Sequence, residues 1–284
     1  MTDSAPHNDA ERAARALFRR ARLNYWLGRR NEALTLCRRA VDCADYSRAY
    51  TLMSRLSLPG EDYFRVLGRI HRYLRPRTYL EIGVSRGDSL RLVQPETRVV
   101  GIDPQPKLAQ APPANVAIYR ETSDDFFAKH DARAELGGLP VELAFIDGLH
   151  HFEYSLRDFV NVERACSRAS VILIHDCYPL DARTAQRAQV TGFWSGDVWR
   201  LLLLLRTVRP DLTVRTIATP PTGLGIVLNP DPDSRVLSER LAELTAEYLA
   251  KDFSVLAAGQ AQALGLIENR WPAIRALIEQ RPRS

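Results

Sequence analysis

The stretch Tyr79-Leu-Glu-Ile-Gly-Val-Ser-Arg-Gly-Asp88 constrains the fold of this chain more than any other. An apolar run of strand length enters a turn punctuated by Gly83 and Gly87 and then a polar helix start, as in a buried parallel strand that feeds a crossover. A second apolar run, Arg98-Val-Val-Gly-Ile-Asp-Pro104, ends in a carboxylate about 20 residues further on, where a nucleoside ribose is gripped in doubly wound sheets. Glycines there let backbone approach a ligand, and Asp103 can accept from two ribose hydroxyls. The spacing is Glu-x-Gly-x-x-x-Gly in place of Gly-x-Gly-x-x-Gly, with Glu81 inside the first strand. That acid repels a pyrophosphate and suits an ammonium group. A nucleoside ligand with an amino group is expected ahead of a dinucleotide.

Strand and helix patterns then alternate. Strands are expected at 78–84, 98–103, 116–120, 141–147 and 170–176, with helices near 88–94, 123–136 and 153–166. Runs without polar alternation, such as Val171-Ile-Leu-Ile174, fit a parallel sheet covered on both faces. Residues 212–217 and 225–229 flank a short Pro/Gly turn, so they must pair antiparallel. Helical spacing over 8–27 and 32–43, broken at Gly28, resembles one tetratricopeptide unit. A lone repeat cannot bury its own face, so this hairpin is expected to cap the main domain or a second subunit. Residues 61–74, 234–250 and 271–280 read as amphipathic helices, the last two closing the sheet edge or forming a dimer surface. The expected fold is α/β: a Rossmann-like, doubly wound, mostly parallel seven-stranded sheet with a terminal antiparallel strand pair, plus an N-terminal helical hairpin and C-terminal helices. The expected units are residues 1–58, 59–230 and 231–284, with a boundary at Ser57-Leu-Pro-Gly60.

A chain of 284 residues, 45% hydrophobic with net charge +5, has ample material for a globular core. Its basic residues read as spread along the chain without aromatic interleaving, which disfavours a nucleic-acid partner. Four cysteines without a Cys-x-x-Cys motif suit a reducing compartment. No apolar leader opens the chain, and the leucine run 201–205 is far too short to span a bilayer. A cytoplasmic protein without a membrane partner is expected. His71 and His130 read as ordinary surface or helix histidines.

Ligands in open α/β sheets sit beyond the carboxyl ends of the strands. Those ends carry Glu81, Asp103, Glu121-Thr-Ser-Asp124, Asp147-Gly-Leu-His-His151 and His175-Asp-Cys177. Core packing does not demand acids or imidazoles at all five. Asp147 and Asp176 would stand on neighbouring strands, roughly 5 Å apart. Carboxylates that close repel unless a proton or a cation lies between them. A divalent cation, magnesium first, would relieve the repulsion and lower the pKa of a bound hydroxyl. His150, one turn beyond Asp147, would serve as general base.

The run Phe145-Ile-Asp-Gly-Leu-His-His-Phe-Glu-Tyr-Ser-Leu-Arg-Asp158, followed by Val171-Ile-Leu-Ile-His-Asp-Cys-Tyr-Pro179, resembles the class I S-adenosylmethionine-dependent methyltransferases. The resemblance spans about residues 60–230 and is nearest to the bacterial branch with the macrocin-type O-methyltransferases. It implies S-adenosylmethionine as cofactor and O-methylation of a small hydroxylated metabolite. Glu81, Gly83, Ser85 and Gly87 would then form the methionine-side pocket, with Glu81 reaching the ammonium directly or through water. Asp103 would bind the ribose, and Ser123 with Asp124 would border the adenine, alongside helix-capping roles for both. Asp147 and His150 would be catalytic, with the cation at Asp147 and Asp176. The chain departs from metal-dependent relatives in carrying Cys177 where a second acid or amide is common. His175 beside Asp176 suits zinc, iron or nickel better than magnesium. Trp194, in a glycine-bounded loop, is the expected lid, Trp199 belongs to the core, and His151 has a supporting or structural role. The rival is a catalytically silent cofactor-binding module whose helical N-terminus recruits a protein. An NAD-dependent oxidoreductase is disfavoured by the glycine spacing.

Overall fold

Helix-forming segments lead the chain, and their packing decides where the later loops can lie. The computed structural model describes residues 5–282. It opens with α1 (Ala5–Trp26), α2 (Arg30–Cys43), α3 (Ser47–Ser57) and α4 (Tyr63–Leu74). The expected hairpin is therefore a three-helix unit. Helix α3 brings Tyr50 and Met53 onto Ala21, Cys37 and Ala40, closing the apolar face that two helices alone leave open. Asp62 caps α4 by accepting from the Arg65 N–H at 2.9 Å, and Arg75 ends it in the left-handed region, just before Pro76.

The sheet is built from β1 (Thr78–Ile82), β2 (Arg98–Ile102) and β3 (Val116–Tyr119), then, after α5 (Ser123–Lys129) and α6 (Ala132–Glu135), β4 (Val141–Ile146). Helix α7 (Phe152–Ala165) leads to β5 (Cys166–His175), and α8 (Trp199–Val208) to β6 (Thr213–Ile217) and β7 (Leu224–Leu228). Helices α9 (Val236–Glu239), α10 (Leu241–Leu249) and α11 (Gln260–Ala263), strand β8 (Leu266–Ile267) and α12 (Trp271–Ile278) finish the chain. The strand order is β3-β2-β1-β4-β5-β7-β6-β8. β1 to β5 are mutually parallel, and β7 runs antiparallel between β5 and β6. The Rossmann-like mixed sheet thus stands as expected, with an eighth strand added. β8 pairs only Leu266 and Ile267 with β6, too few residues to leave a pattern in the sequence.

Helices depart from expectation where local chemistry interrupts them. The expected helix at 88–94 is a single 3-10 turn, Ser89–Leu92. Pro95 drives the residue before it away from helical backbone and ends the turn early. The expected 123–136 helix breaks at His130, and Asp131 caps α6 anew through the Arg133 N–H at 2.9 Å. Residues 234–250 likewise divide into α9 and α10.

Apolar layers cover both sheet faces. Leu80, Ile82 and Ile174 face α7 and α8, whereas Tyr79, Phe145 and Leu173 face α4 and α12. Period-two alternation along β1 therefore turns Glu81 toward the α4 side, with Tyr79. His71 is no surface residue: it is fully buried, edge-on to Tyr79 at 4.7 Å, and neither ring nitrogen has a hydrogen-bond partner. Burial lowers its pKa to about 4, so it is neutral. The order reversal at β1 and β4 opens a crevice beyond their carboxyl ends.

Candidate active site

The crevice depends first on backbone proximity. Gly83 has φ of +90°, and a Cβ there would lie 1.9 Å from the Asp147 carbonyl oxygen. Only glycine lets the turn after β1 pass this close to the end of β4. Ser85 also takes a left-handed backbone, φ 48°, and its N–H donates to Asp103 Oδ2 at 2.7 Å. The Gln105 N–H donates to Asp103 Oδ1, also at 2.7 Å. Asp103 thus stitches the first turn to the end of β2, and each of its oxygens keeps acceptor capacity.

A cavity of about 620 Å³ fills the crevice. Gly83, Ser85, Asp103, Ser123 and Asp124 line it, as do Asp147, His150 and Asp176 at its other end. Glu81 and Gly87 do not. Glu81 is 1% exposed and sits behind the wall, receiving the Tyr79 hydroxyl at 2.9 Å and contacting Ser89 Oγ. Burial, only partly offset by those hydrogen bonds, raises its carboxyl to about 8. Strand alternation, invisible when only the strand end is considered, is why it misses the cavity. Gly87 closes the turn, its N–H donating to the Val84 carbonyl at 2.8 Å.

On the β3 side, Thr122 rather than Ser123 caps α5, accepting from the Asp125 N–H at 3.1 Å. Asp124 is clamped by Arg157 at 2.9 and 2.7 Å, and this hydrogen bonding lowers its pKa. Sequence reasoning passed over Asp158, which lines the cavity and is 2% exposed. Burial raises its carboxyl to about 7 against a hydrogen bond with Ser123. Its place at i+4 from the cavity-lining Tyr154 on α7 was the available signal.

The other end gathers four titratable side chains. His175 Nδ1 lies 3.1 Å from Asp147 Oδ1 and 3.0 Å from Asp176 Oδ2. His150 Nε2 lies 3.0 Å from Asp176 Oδ2 and 3.8 Å from Asp147 Oδ1. Asp176 adopts φ of 55°, a costly backbone for a non-glycine residue, and Thr222 Oγ1 donates to its Oδ1 at 2.6 Å. Burial pushes the Asp176 carboxyl up, but His175, His150 and the hydroxyl outweigh it and hold the group ionised. Burial opposes charge on His175 too, yet Asp176 and Asp147 raise its pKa well above the ordinary value. The Tyr63 ring packs on His175 with centroids 4.2 Å apart. An ionised Asp176 only accepts, so the hydrogen of the short contact belongs to His150 Nε2. His150 Nδ1 is buried and has no hydrogen-bond partner.

The glycine-bounded loop expected to carry a lid lies against His150. Trp194 stacks on His150 at 5.2 Å and 29°, while Trp199 is fully buried in the core. Gly196, φ +63°, presses so close that a Cβ would lie 1.9 Å from the His150 carbonyl oxygen. Asp197 accepts from the Phe152 N–H at 2.7 Å and from Arg200 at 3.0 Å, pinning loop and helix together. Helices α2 and α3 and the turn between them hold this region from outside. Phe193 stacks on Tyr50 at 5.5 Å, the Gly192 N–H donates to Asp45 at 2.8 Å, and Arg183 donates to the Val41 carbonyl at 2.7 Å.

The donor set of Asp147, His175 and Asp176, with ligand atoms all within 4.8 Å of one another, fits a divalent cation. His175 is the third donor that the sequence placed beside the pair, and its nitrogen favours zinc, iron or nickel over magnesium.

Residues 80–177 match the family model described as a methyltransferase domain. Among solved structures the chain is similar to the O-methyltransferase TomG from Streptomyces achromogenes, involved in tomaymycin synthesis, at 19% identity over 59% of this chain and 79% of that one, with TM-score 0.46. It is also similar to an O-methyltransferase from Bacillus cereus, at 15% identity over 60% of this chain and 83% of that one, TM-score 0.40. The Podospora anserina methyltransferase PaMTH1 is 15% identical over 66% of this chain and 83% of that one, TM-score 0.44. No curated protein matches the chain.

Proposed function

We propose, from the premise that this chain is a class I S-adenosylmethionine-dependent methyltransferase, that it methylates a hydroxyl oxygen of a small molecule held beneath Trp194. One observation carries the reading: the carboxylate–imidazole cluster of Asp147, His150, His175 and Asp176 stands at one end of the cavity whose other end holds Asp103. A nucleoside-sized donor reaching from Asp103 toward Asp147 presents its far end to that cluster.

The residues present suit such a donor. Asp103 has spare acceptor capacity for two vicinal hydroxyls, Ser123 and Asp124 border the base, and Gly83 with Ser85 offer backbone at close approach. When bound, the cofactor supplies an electrophilic methyl group on a sulfonium. His150 takes the proton of the acceptor hydroxyl at its imidazole, and Asp176 beside Nε2 steadies the imidazolium that forms. Such general-base help is worth about 10²–10⁴-fold. Trp194 positions the acceptor and excludes water. Asp147, His175 and Asp176 would hold a divalent cation, whose contribution is to lower the acceptor hydroxyl's pKa.

Calorimetry with S-adenosylhomocysteine, paired with methyl transfer to a panel of hydroxylated acceptors, tests this. Uptake of the thioether with transfer that falls on chelation and returns with a transition metal supports the full scheme. Uptake with transfer indifferent to chelation removes the cation and leaves His150. Uptake without transfer to any acceptor points to the silent cofactor-binding module, and no uptake sinks both.

A further inference from the structure

The chain's net charge is distributed unevenly. Residues 1–57 hold eleven arginines against six carboxylates, so the entire net charge of +5 resides there and the remaining residues balance. Eleven of the 39 basic residues thus lie in the first 57 positions, so they are denser there than along the rest of the chain. The end of α1 and its turn into α2 also present the most exposed large apolar groups of the described residues: Leu23, Trp26 and Leu27 are 60%, 78% and 58% exposed. Their i, i+3, i+4 spacing sets them on one side of the helix end. Arg19, Arg20, Arg22, Arg29 and Arg30 surround that tip, and no carboxylate pairs with any of them among the described residues. By contrast Arg12 and Arg15, a turn or two earlier, pair with Asp9 and Glu11.

From this charge complementarity we infer that the α1–α2 tip docks on an anionic lipid surface. Trp26 and the two leucines enter the headgroup boundary, and the flanking guanidiniums meet lipid phosphates. An aromatic ring with a polar edge is suited to that boundary, and basic groups near an anionic leaflet add to the apolar contribution. A second copy of the chain fits poorly, because a self-complementary contact here would bring two sets of unpaired arginines together. Nucleic acid would use the arginines and stack on Trp26, but it offers nothing to Leu23 and Leu27. No helix of the described residues is long and apolar enough to cross a membrane, so the contact is peripheral. This revises the expectation of no membrane partner, and it is independent of the proposed reaction.

Co-sedimentation of the full chain with phosphatidylcholine vesicles, with and without phosphatidylserine, tests the inference. Binding is expected only with phosphatidylserine, weakening as salt rises. The double variant Trp26→Ser, Leu27→Ser should lose at least about tenfold in partitioning, with an unchanged melting temperature showing that it folds. Arg29→Glu with Arg30→Glu should lose binding in the same way. Absence of partitioning into phosphatidylserine vesicles, or partitioning indifferent to both double variants, overturns the inference. So does self-association that Trp26→Ser abolishes without vesicle binding, or capture of a single-stranded oligonucleotide by a protein that ignores vesicles.

Discussion

Glu81 shows how much a side chain's direction matters at the scale of one residue. Its strand position reads as a ligand contact, yet alternation turns it behind the wall, where Tyr79 and Ser89 satisfy it. A carboxyl raised from 4.5 to about 8 stays protonated in the folded protein while the unfolded chain has already released its proton. Stability is therefore fullest below pH 4.5 for this group and declines as pH climbs toward 8, by a few kcal/mol at roughly 1.4 kcal/mol per unit. Glu81→Gln should flatten that part of the stability–pH curve of the ligand-free protein, measured by urea unfolding. An unchanged slope would mean that Glu81 ionises normally. His150→Ala should leave S-adenosylhomocysteine affinity within about twofold while slowing methyl transfer by roughly 10²–10⁴-fold, as read by single-turnover rates. Asp103, Asp147, His150 and Asp176 were legible because strand ends point into the crevice whatever the details. Asp158, Thr222 and Tyr63 were not, since each reaches the site through tertiary packing from a helix or loop with no special local pattern.

Strands were easier to foresee than helices, for a physical reason. Apolar runs such as Val171–Ile174 must be buried on both faces, whereas a helix depends on where caps and prolines stop it. Pro95 cut one helix to a turn, Asp131 restarted another, and α3 was hidden because its burial needs α1 and α2 already in place. That third helix brings the N-terminal unit against the Trp194 loop, for it carries Tyr50, and the preceding Asp45 holds Gly192. Asp45→Ala removes one backbone acceptor at an exposed position, worth roughly 0.5–1.5 kcal/mol. It should raise the acceptor KM by about 2- to 10-fold and leave S-adenosylhomocysteine affinity unchanged. A purely structural contact would instead lower stability and spare the KM.

Across the whole molecule, the cavity draws walls from the ends of β1, β2, β4 and β5, so a ligand bound there would join elements distant in sequence. S-adenosylhomocysteine at a hundredfold its Kd should stabilise the fold by roughly 2.7 kcal/mol, seen as a melting temperature raised by several degrees. An Asp103→Ala variant should show a much smaller rise at the same concentration. Gly83 and Gly196, far apart in the chain, press on the backbone of one short loop at Asp147 and His150, each leaving no room for even a methyl group. That loop is held less by what grips it than by two places where nothing protrudes. Side chains around that loop are free to vary, but a side chain at either of those two bare positions would dislodge the backbone at Asp147 or His150.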